Sequence, residues 1–133
     1  MKTTRIISIV ALMVGSNLAL HAATAQLPGI KRIDLQRHDL SVPGREVVQA
    51  IVELAPGTPF SKHWHPGEEI IYVLEGSLQY QIEDKPPVTL KAGDVLFIPA
   101  RTIHAARNVG SVKGAELATY VVEKGKPLLV PVK

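Results

Sequence analysis

The chain has 133 residues, which is enough for one domain and too few for two of ordinary size. Hydrophobic residues make up 46% of it but aromatic residues only 5%, so a core must be built mainly from aliphatic side chains. The absence of cysteine excludes disulfides, thiolate metal sites and a cysteine nucleophile.

The first 25 residues have the features of a secretory signal. Lys2 and Arg5 give a positive start, residues 6–20 are mostly apolar, and residues 23–25 (Ala-Thr-Ala) form a small-residue cleavage site. Polar residues interrupt the apolar part, which is too short for a confident membrane span. We therefore predict removal of residues 1–25 and export to the periplasm or the exterior, with an uncleaved anchor as the less favoured alternative.

The predicted mature chain is nearly neutral. Removing the two basic residues of the signal leaves 13 basic residues against 12 acidic ones, a net charge of +1. The sequence contains no basic cluster interleaved with aromatic residues. It therefore predicts neither a nucleic-acid partner nor membrane association after signal cleavage.

Two strand-like segments open the mature chain. Residues 26–46 are predicted to form an N-terminal arm or strand, and a β-branched run follows at residues 47–54. In that run Gln49 and Glu53 share one face. The other face, which we expect to be buried, carries Val48, Ala50, Val52 and Leu54.

The next strand contains two histidines, His63 and His65. Residues two apart on a strand point to the same face, so both imidazoles lie on one side. Pro66-Gly67 supplies a turn that returns Glu69 to that face. Two imidazoles and a carboxylate that converge are donors suited to a divalent transition metal.

A β-hairpin is predicted at residues 69–84, with Glu75-Gly76 as its two-residue loop. This register places Ile71 opposite Tyr80 and puts Glu69 on the buried face. A buried carboxylate is costly unless it is paired or bound to a cation, which supports a ligand role for Glu69.

The second half of the chain continues the same pattern. Strand-like runs lie at residues 88–90, 95–98, 104–109 and 115–123, and turn residues separate them. The tail at residues 124–133 contains two prolines and is predicted to lie along a sheet edge. Eight to nine short strands without a helical period predict an all-β sandwich or barrel.

The spacing of the motif residues resembles that of the cupin superfamily. The first family motif is met with every spacing kept, at Gly57, His63, His65, Glu69 and Gly76. The second is met at Gly93, Pro99, His104 and Asn108. Its internal glycine is replaced by Arg101, a residue that resists the positive φ expected of glycine. The chain is thus similar to small single-domain cupins of the quercetin-dioxygenase-like type.

The resemblance implies a cupin double-stranded β-helix, a jelly-roll-like barrel, over residues 47–123 with no helical domain. It also implies that one divalent transition metal is held by residues from both halves of the chain: His63, His65, Glu69 and His104. Fe, Mn, Ni, Cu and Zn all suit three imidazoles and a carboxylate, and export favours Cu or Zn. The other interpretation is a buried polar cluster that joins two sheets. The resemblance further implies a homodimer.

Two classes of function are consistent with such a site. The first is a metal-dependent enzyme, dioxygenase-like or isomerase-like, that acts on a small organic molecule with Glu69 as a candidate base. Its candidate pocket residues are Tyr80, Phe97 and Ile71. The second is a non-catalytic periplasmic protein that binds a metal or a small molecule. A purely structural role is disfavoured because all four ligands are retained.

Overall fold

The alternation of apolar and polar residues produces ten strands in a computed structural model that describes residues 27–133. The predicted signal at residues 1–25 lies outside the described residues. The strands are β1 (Ile30–Asp39), β2 (Arg45–Leu54), β3 (Pro59–Trp64), β4 (Gly67–Glu75), β5 (Ser77–Ile82), β6 (Val88–Lys91), β7 (Val95–Ile98), β8 (His104–Asn108), β9 (Gly114–Glu123) and β10 (Val130–Pro131).

The strands form two five-stranded sheets that pack face to face. The first sheet has the order β1-β2-β9-β4-β7 and the second has the order β10-β3-β8-β5-β6. All pairings are antiparallel. Over residues 27–133, no helix has the length and apolar character that crossing a membrane requires. The predicted all-β double-stranded β-helix is thus confirmed.

The core lies between the sheets and is mainly aliphatic, as the composition predicts. In β2 every second residue is buried, and the side chains that the sequence places inward are the buried ones. Burial of these apolar side chains is the main stabilising contribution to the fold. The largest fully buried side chains are Tyr80, Leu54, Ile71, Leu78, Ile98, Val73, Val122 and Asn108.

The predicted hairpin at residues 69–84 is wrong. β4 pairs with β7 and β9, whereas β5 pairs with β6 and β8, so the two strands belong to different sheets. Ile71 lies opposite Leu96 and Ala118 rather than Tyr80. The inward direction of Ile71 and Tyr80 is nevertheless right, because side-chain alternation depends on the strand itself and not on its partner.

Gly76 is the single residue between β4 and β5, so the chain passes from one sheet to the other at this position. Its φ of 78° lies in the left-handed region, where glycine carries no steric cost. A Cβ at this position would stand 2.6 Å from the carbonyl oxygen of Lys113 and 2.8 Å from Cα of Gly114. The backbone of residues 113–114 therefore leaves no room for an unshifted Cβ at residue 76.

Arg101, which replaces the glycine of the second motif, adopts the positive φ of that glycine. Its φ is 61°, a conformation that costs a non-glycine residue roughly 1 to 2 kcal/mol. The guanidinium lies 2.6 Å from Oε1 of Glu123 and over the ring of Trp64, 5.9 Å from its centroid. These contacts hold Arg101 in the turn and offset part of the backbone cost.

Asn108 ties the end of β8 to the neighbouring loops. It is fully buried, and its Nδ2 donates to the carbonyl oxygens of Leu54 at 2.9 Å and Val112 at 2.8 Å. Its Oδ1 accepts from the backbone N–H of Gly110 at 2.9 Å. These three bonds satisfy most of the hydrogen-bonding capacity of the amide, which makes Asn108 a structural residue rather than a ligand.

Candidate metal centre

Four predicted ligands meet between the two sheets. His63 in β3 lies directly opposite His104 in β8, and His65 follows the end of β3. Glu69 comes from β4 in the other sheet. All four side chains are buried, with about 3% of each exposed. The two halves of the chain therefore contribute to one cluster in the barrel interior.

The ligand atoms of this cluster lie close together. The nitrogens that His63, His65 and His104 offer are all within 4.8 Å of one another. Oε2 of Glu69 lies 3.0 Å from Nε2 of His104 and 3.4 Å from Nε2 of His65. Two ligands of one metal with bonds of about 2.1 Å are about 3.0 to 3.4 Å apart at angles between octahedral and tetrahedral values. The two separations from Glu69 match this range.

Each imidazole has its tautomer fixed by a backbone carbonyl. Nδ1 of His63 lies 2.7 Å from the carbonyl oxygen of Ser61. Nδ1 of His65 lies 2.6 Å from the carbonyl oxygen of Leu128, and Nδ1 of His104 lies 2.9 Å from that of Thr102. Because a carbonyl oxygen only accepts, each Nδ1 must carry the proton. A neutral ring then has a lone pair on Nε2, which is the arrangement that metal-binding histidines use.

This tautomer assignment leaves the cluster short of protons. Nε2 of His65 and Oε2 of Glu69 are buried and have no hydrogen-bond partner among residues 27–133. Lone pairs that face one another at 3.0 to 3.4 Å in a buried site repel, and an unpaired buried carboxylate costs several kcal/mol. A divalent cation would satisfy all of these atoms together, so the residues present fit a metal ion.

The protonation states favour a cation at neutral pH. Burial, helped by the nearby His104, lowers the pKa of His63 to about 4. Burial raises the pKa of Glu69, but hydrogen bonds and positive charge from His104 and His65, which these imidazoles supply only when Nε2 also carries a proton, lower it to about 2. His63 is therefore neutral and Glu69 ionised at pH 7. A carboxylate this acidic suits a ligand better than the general base that the sequence suggests.

A second carboxyl group, Glu116 of β9, lies inside the barrel and is missed by the sequence analysis. It is buried and accepts a hydrogen bond from the hydroxyl of Tyr80. Burial and the negative charge of Glu69 raise the pKa of Glu116 to about 8. Glu116 precedes Ala118 by two residues and Tyr120 by four on the same strand, so alternation places all three side chains on the inward face.

Replacement of Glu116 by glutamine is expected to flatten the dependence of stability on pH. In the unfolded chain this carboxyl ionises near pH 4.3, whereas in the folded protein it keeps its proton up to about pH 8. The wild type therefore loses stability as pH rises through this window, by up to about 2 kcal/mol between pH 6 and pH 8. Glutamine keeps an acceptor for Tyr80 and does not titrate.

The measurement is urea unfolding of both proteins at pH 6 and pH 8, in the presence of a chelator. The stability difference between Glu116→Gln and wild type should change by up to about 2 kcal/mol in favour of the variant. A difference that stays constant over this range would contradict the buried protonated state of Glu116.

Tyr120 connects the cluster to the N-terminal strand. Its ring centroid lies 4.7 Å from that of His65, and the guanidinium carbon of Arg32 lies 5.5 Å from the same tyrosine ring. Burial raises the pKa of Tyr120, and the negative charge of Glu69 raises it further. Tyr120 is therefore a neutral hydroxyl beside the candidate ligands.

The three predicted pocket residues differ in burial. Tyr80 and Ile71 are fully buried core side chains. The prediction for Phe97 is wrong, because Phe97 is 58% exposed on the outer face of β7 while its neighbour Ile98 faces the core. The alternation of β7 decides this direction. An open cavity of about 570 Å³ instead adjoins His104, with charged residues at Lys62, Glu83, Asp84 and Lys85.

Comparison with known proteins agrees with this architecture. The family profile of the cupin domain matches residues 50–123. A protein from Klebsiella pneumoniae with a double-stranded β-helix domain superposes with a TM-score of 0.65 at 20% identity, over 84% of this chain and 89% of that one. At this level of identity the likeness shows the fold alone.

Two proteins whose names state an activity or a ligand match part of the chain. Dimethylsulfoniopropionate lyase DddQ of Ruegeria pomeroyi is 37% identical over 57 residues, or 43% of this chain and 28% of that protein. Its crystal structure superposes with a TM-score of 0.58 at 27% identity, over 65% of this chain and 43% of that one. The oxalate-binding protein of Thermotoga maritima is 35% identical over 74 residues, or 55% of this chain and 60% of that protein.

The chain therefore spans less than two thirds of the length of either of these curated relatives. The family assignment rests instead on the profile, which covers more than half of the chain and includes every candidate ligand. The fold and the buried three-histidine cluster agree with it. The chain belongs to the cupin superfamily.

Proposed function

We propose that this protein is an exported, metal-dependent enzyme that acts on a small organic molecule, with dioxygenase-like chemistry as the first hypothesis. The observation that carries the proposal is the set of unpaired ligand atoms in the barrel, with three imidazole tautomers fixed for binding through Nε2. His63, His65, Glu69 and His104 would hold the ion. Bound there, a divalent metal would supply Lewis-acid polarisation of a substrate oxygen, and a redox-active one would add electron exchange with dioxygen.

The residues around the cluster would bind the substrate and control its protons. The cavity beside His104 has the volume of a small-molecule site. Lys62 and Lys85 at this cavity would attract an anionic group of the substrate, and Glu83 and Asp84 would limit how much negative charge is accepted. Deeper in the barrel, Glu116 would hold a proton at neutral pH, supported by its bond to Tyr80. These groups support acid–base chemistry that does not need Glu69 as the base.

The test is turnover by protein loaded separately with Fe, Mn, Ni, Cu or Zn. Oxygen uptake and product formation are followed with a panel of enols, phenols and small carboxylates. With one of these metals we expect turnover that falls by at least about 100-fold in His63→Ala, and that is kept in His38→Ala, whose histidine is exposed on β1. Turnover without oxygen uptake would assign lyase or isomerase chemistry and reject the dioxygenase hypothesis.

The alternative function is non-catalytic binding of a metal or a small molecule. The partial likeness to an oxalate-binding protein favours it, and the cavity needs no further chemistry to retain a ligand. In this case a small carboxylate would bind to metal-loaded protein with no consumption over many hours. Such an outcome would contradict the enzyme proposal while leaving the metal site intact.

The proposed location is the periplasm or the exterior. Support comes from the basic start, apolar stretch and small-residue cleavage site within residues 1–25. Export would also affect which ion is acquired, because the affinity order of exchangeable metals favours Cu and Zn.

A further inference from the structure

The C-terminal tail, residues 124–133, reaches one of the candidate ligands. It follows β9 and lies beyond the part of the chain that matches the cupin profile. The carbonyl oxygen of Leu128 lies 2.6 Å from Nδ1 of His65, although 63 positions separate the two residues. The acceptors for the other two imidazoles are local, because Ser61 and Thr102 each precede their histidine by two residues. The orientation of His65 therefore depends on a segment that is distant in sequence.

The tail is docked on the barrel by a side chain and by a short strand. The side chain of Leu128 is half-buried and packs against the hydrophobic core. Strand β10 lies along β3 at the edge of the second sheet. Just beyond β10, the N–H of Val132 donates to the carbonyl oxygen of Lys62 at 3.0 Å. These contacts hold the Leu128 carbonyl against His65.

The docking contacts are weak compared with those of the other strands. Strand β10 has two residues, and one of them, Pro131, has no N–H to donate. Residues 124–127, which connect β9 to the docked part, are exposed. Short terminal segments with little buried surface open at a much smaller free-energy cost than the whole fold does. We therefore expect the docked tail to exchange with an open one.

The docked tail and a bound metal require the same form of His65. Because the Leu128 carbonyl only accepts, it fixes a proton on Nδ1 and leaves the lone pair of the neutral ring on Nε2. In the open state nothing from the tail holds that proton. Oε2 of Glu69, 3.4 Å from Nε2, is then the acceptor within reach, and the proton moves to the atom that must bind the metal. Docking thus prepares His65 as a ligand.

We propose that the C-terminal tail positions His65 for metal binding, so that tail docking and metal binding strengthen each other. Two events that favour the same state of a protein are coupled, and the coupling is reciprocal. Loss of a hydrogen-bond partner behind a metal ligand lowers metal affinity by about 10- to 100-fold. A bound metal must then favour the docked tail by the same factor. The inference rests on the metal site of the proposed function but on no catalytic activity.

The first test is the affinity for Zn(II), measured by competition with a chromogenic chelator. A chain that ends at Lys126 lacks the Leu128 carbonyl, and Leu128→Asp places a charge against the core and opens the tail of the full-length chain. We expect both to bind about 10- to 100-fold more weakly than wild type. Lys126→Asp is the matched control, because it places the same charge at an exposed position of the tail, and it should keep wild-type affinity. An affinity of the shortened chain within three-fold of wild type would overturn the proposal.

The second test uses the whole wild-type chain and measures hydrogen exchange of the Val132 amide, which reports docking through its bond to Lys62. Saturating Zn(II) should slow this exchange by about 10-fold or more. The amide of Leu40, in the turn between β1 and β2, is the control and should not change. In His65→Ala the slowing at Val132 should disappear, which a purely structural role of the tail does not predict.

Equal slowing at Val132 and Leu40, or slowing that persists in His65→Ala, would contradict the coupling. The outcomes also separate this inference from the proposed function. Metal binding that responds to the tail without any turnover would reject the enzyme and leave the inference standing. A full-length chain that binds no divalent metal would reject both.

Discussion

Replacing His104 by alanine is expected to weaken binding of a divalent metal by roughly 100-fold or more while leaving the fold intact. The side chain offers one of three imidazole nitrogens that lie within 4.8 Å of each other, and it is the closest imidazole to Oε2 of Glu69, at 3.0 Å. Apparent metal-binding energies of about 10 to 16 kcal/mol spread over four ligands give about 3 kcal/mol for each. That share corresponds to about 100-fold in affinity.

The measurement is a competition titration with Zn(II) or Co(II) against a chromogenic chelator. His38→Ala is the matched control, because it removes an exposed imidazole of β1 far from the ligands in sequence. We expect the control to keep wild-type affinity. An affinity for His104→Ala within three-fold of wild type would show that residue 104 is not a ligand.

Replacing Gly76 by alanine is expected to destabilise the protein by about 3 kcal/mol or more. Two effects act together, because the positive φ costs alanine about 1 kcal/mol and the new Cβ would overlap the backbone of Lys113 and Gly114. Neither neighbour is the flexible end of a side chain, so the strands β4 and β5 would have to shift. Equilibrium unfolding in urea, with both proteins metal-free, measures the difference.

Gly57→Ala separates the two effects. Gly57 has a φ of 73°, close to the 78° of Gly76, but a Cβ there would meet nothing within 4 Å. We expect a loss of only about 1 kcal/mol for this variant. Equal losses at both positions would mean that the close approach of Gly76 to the β9 segment contributes nothing to the stability.

The sequence predicts strand directions well because alternation is a local property. In β2 the side chains expected inward are buried, and in β5 Leu78 and Tyr80 are buried while Ile82 is half-buried, whatever strand lies beside them. It fails for the partners of β4 and β5, because Glu75-Gly76 between two strand-like runs looks like a hairpin loop. The pairings that occur instead, of β4 with β9 and of β5 with β8, join segments far apart in sequence.

The candidate site divides in a similar way. His63, His65 and Glu69 follow from local spacing, whereas His104 depends on the resemblance to cupins, since no local rule brings β8 opposite β3. The carbonyls that fix the imidazoles are harder still to predict, because the one that serves His65 belongs to Leu128 in the C-terminal tail. Phe97 is misplaced because an apolar four-residue run such as β7 gives no indication of which side faces in.

The most direct test of the metal centre is anomalous diffraction from crystals of the metal-loaded protein. We predict one anomalous peak per chain, within about 2.3 Å of Nε2 of His63, His65 and His104 and of a carboxylate oxygen of Glu69. A peak located elsewhere, or bonded through Nδ1, would contradict the assignment of these four residues as the ligands.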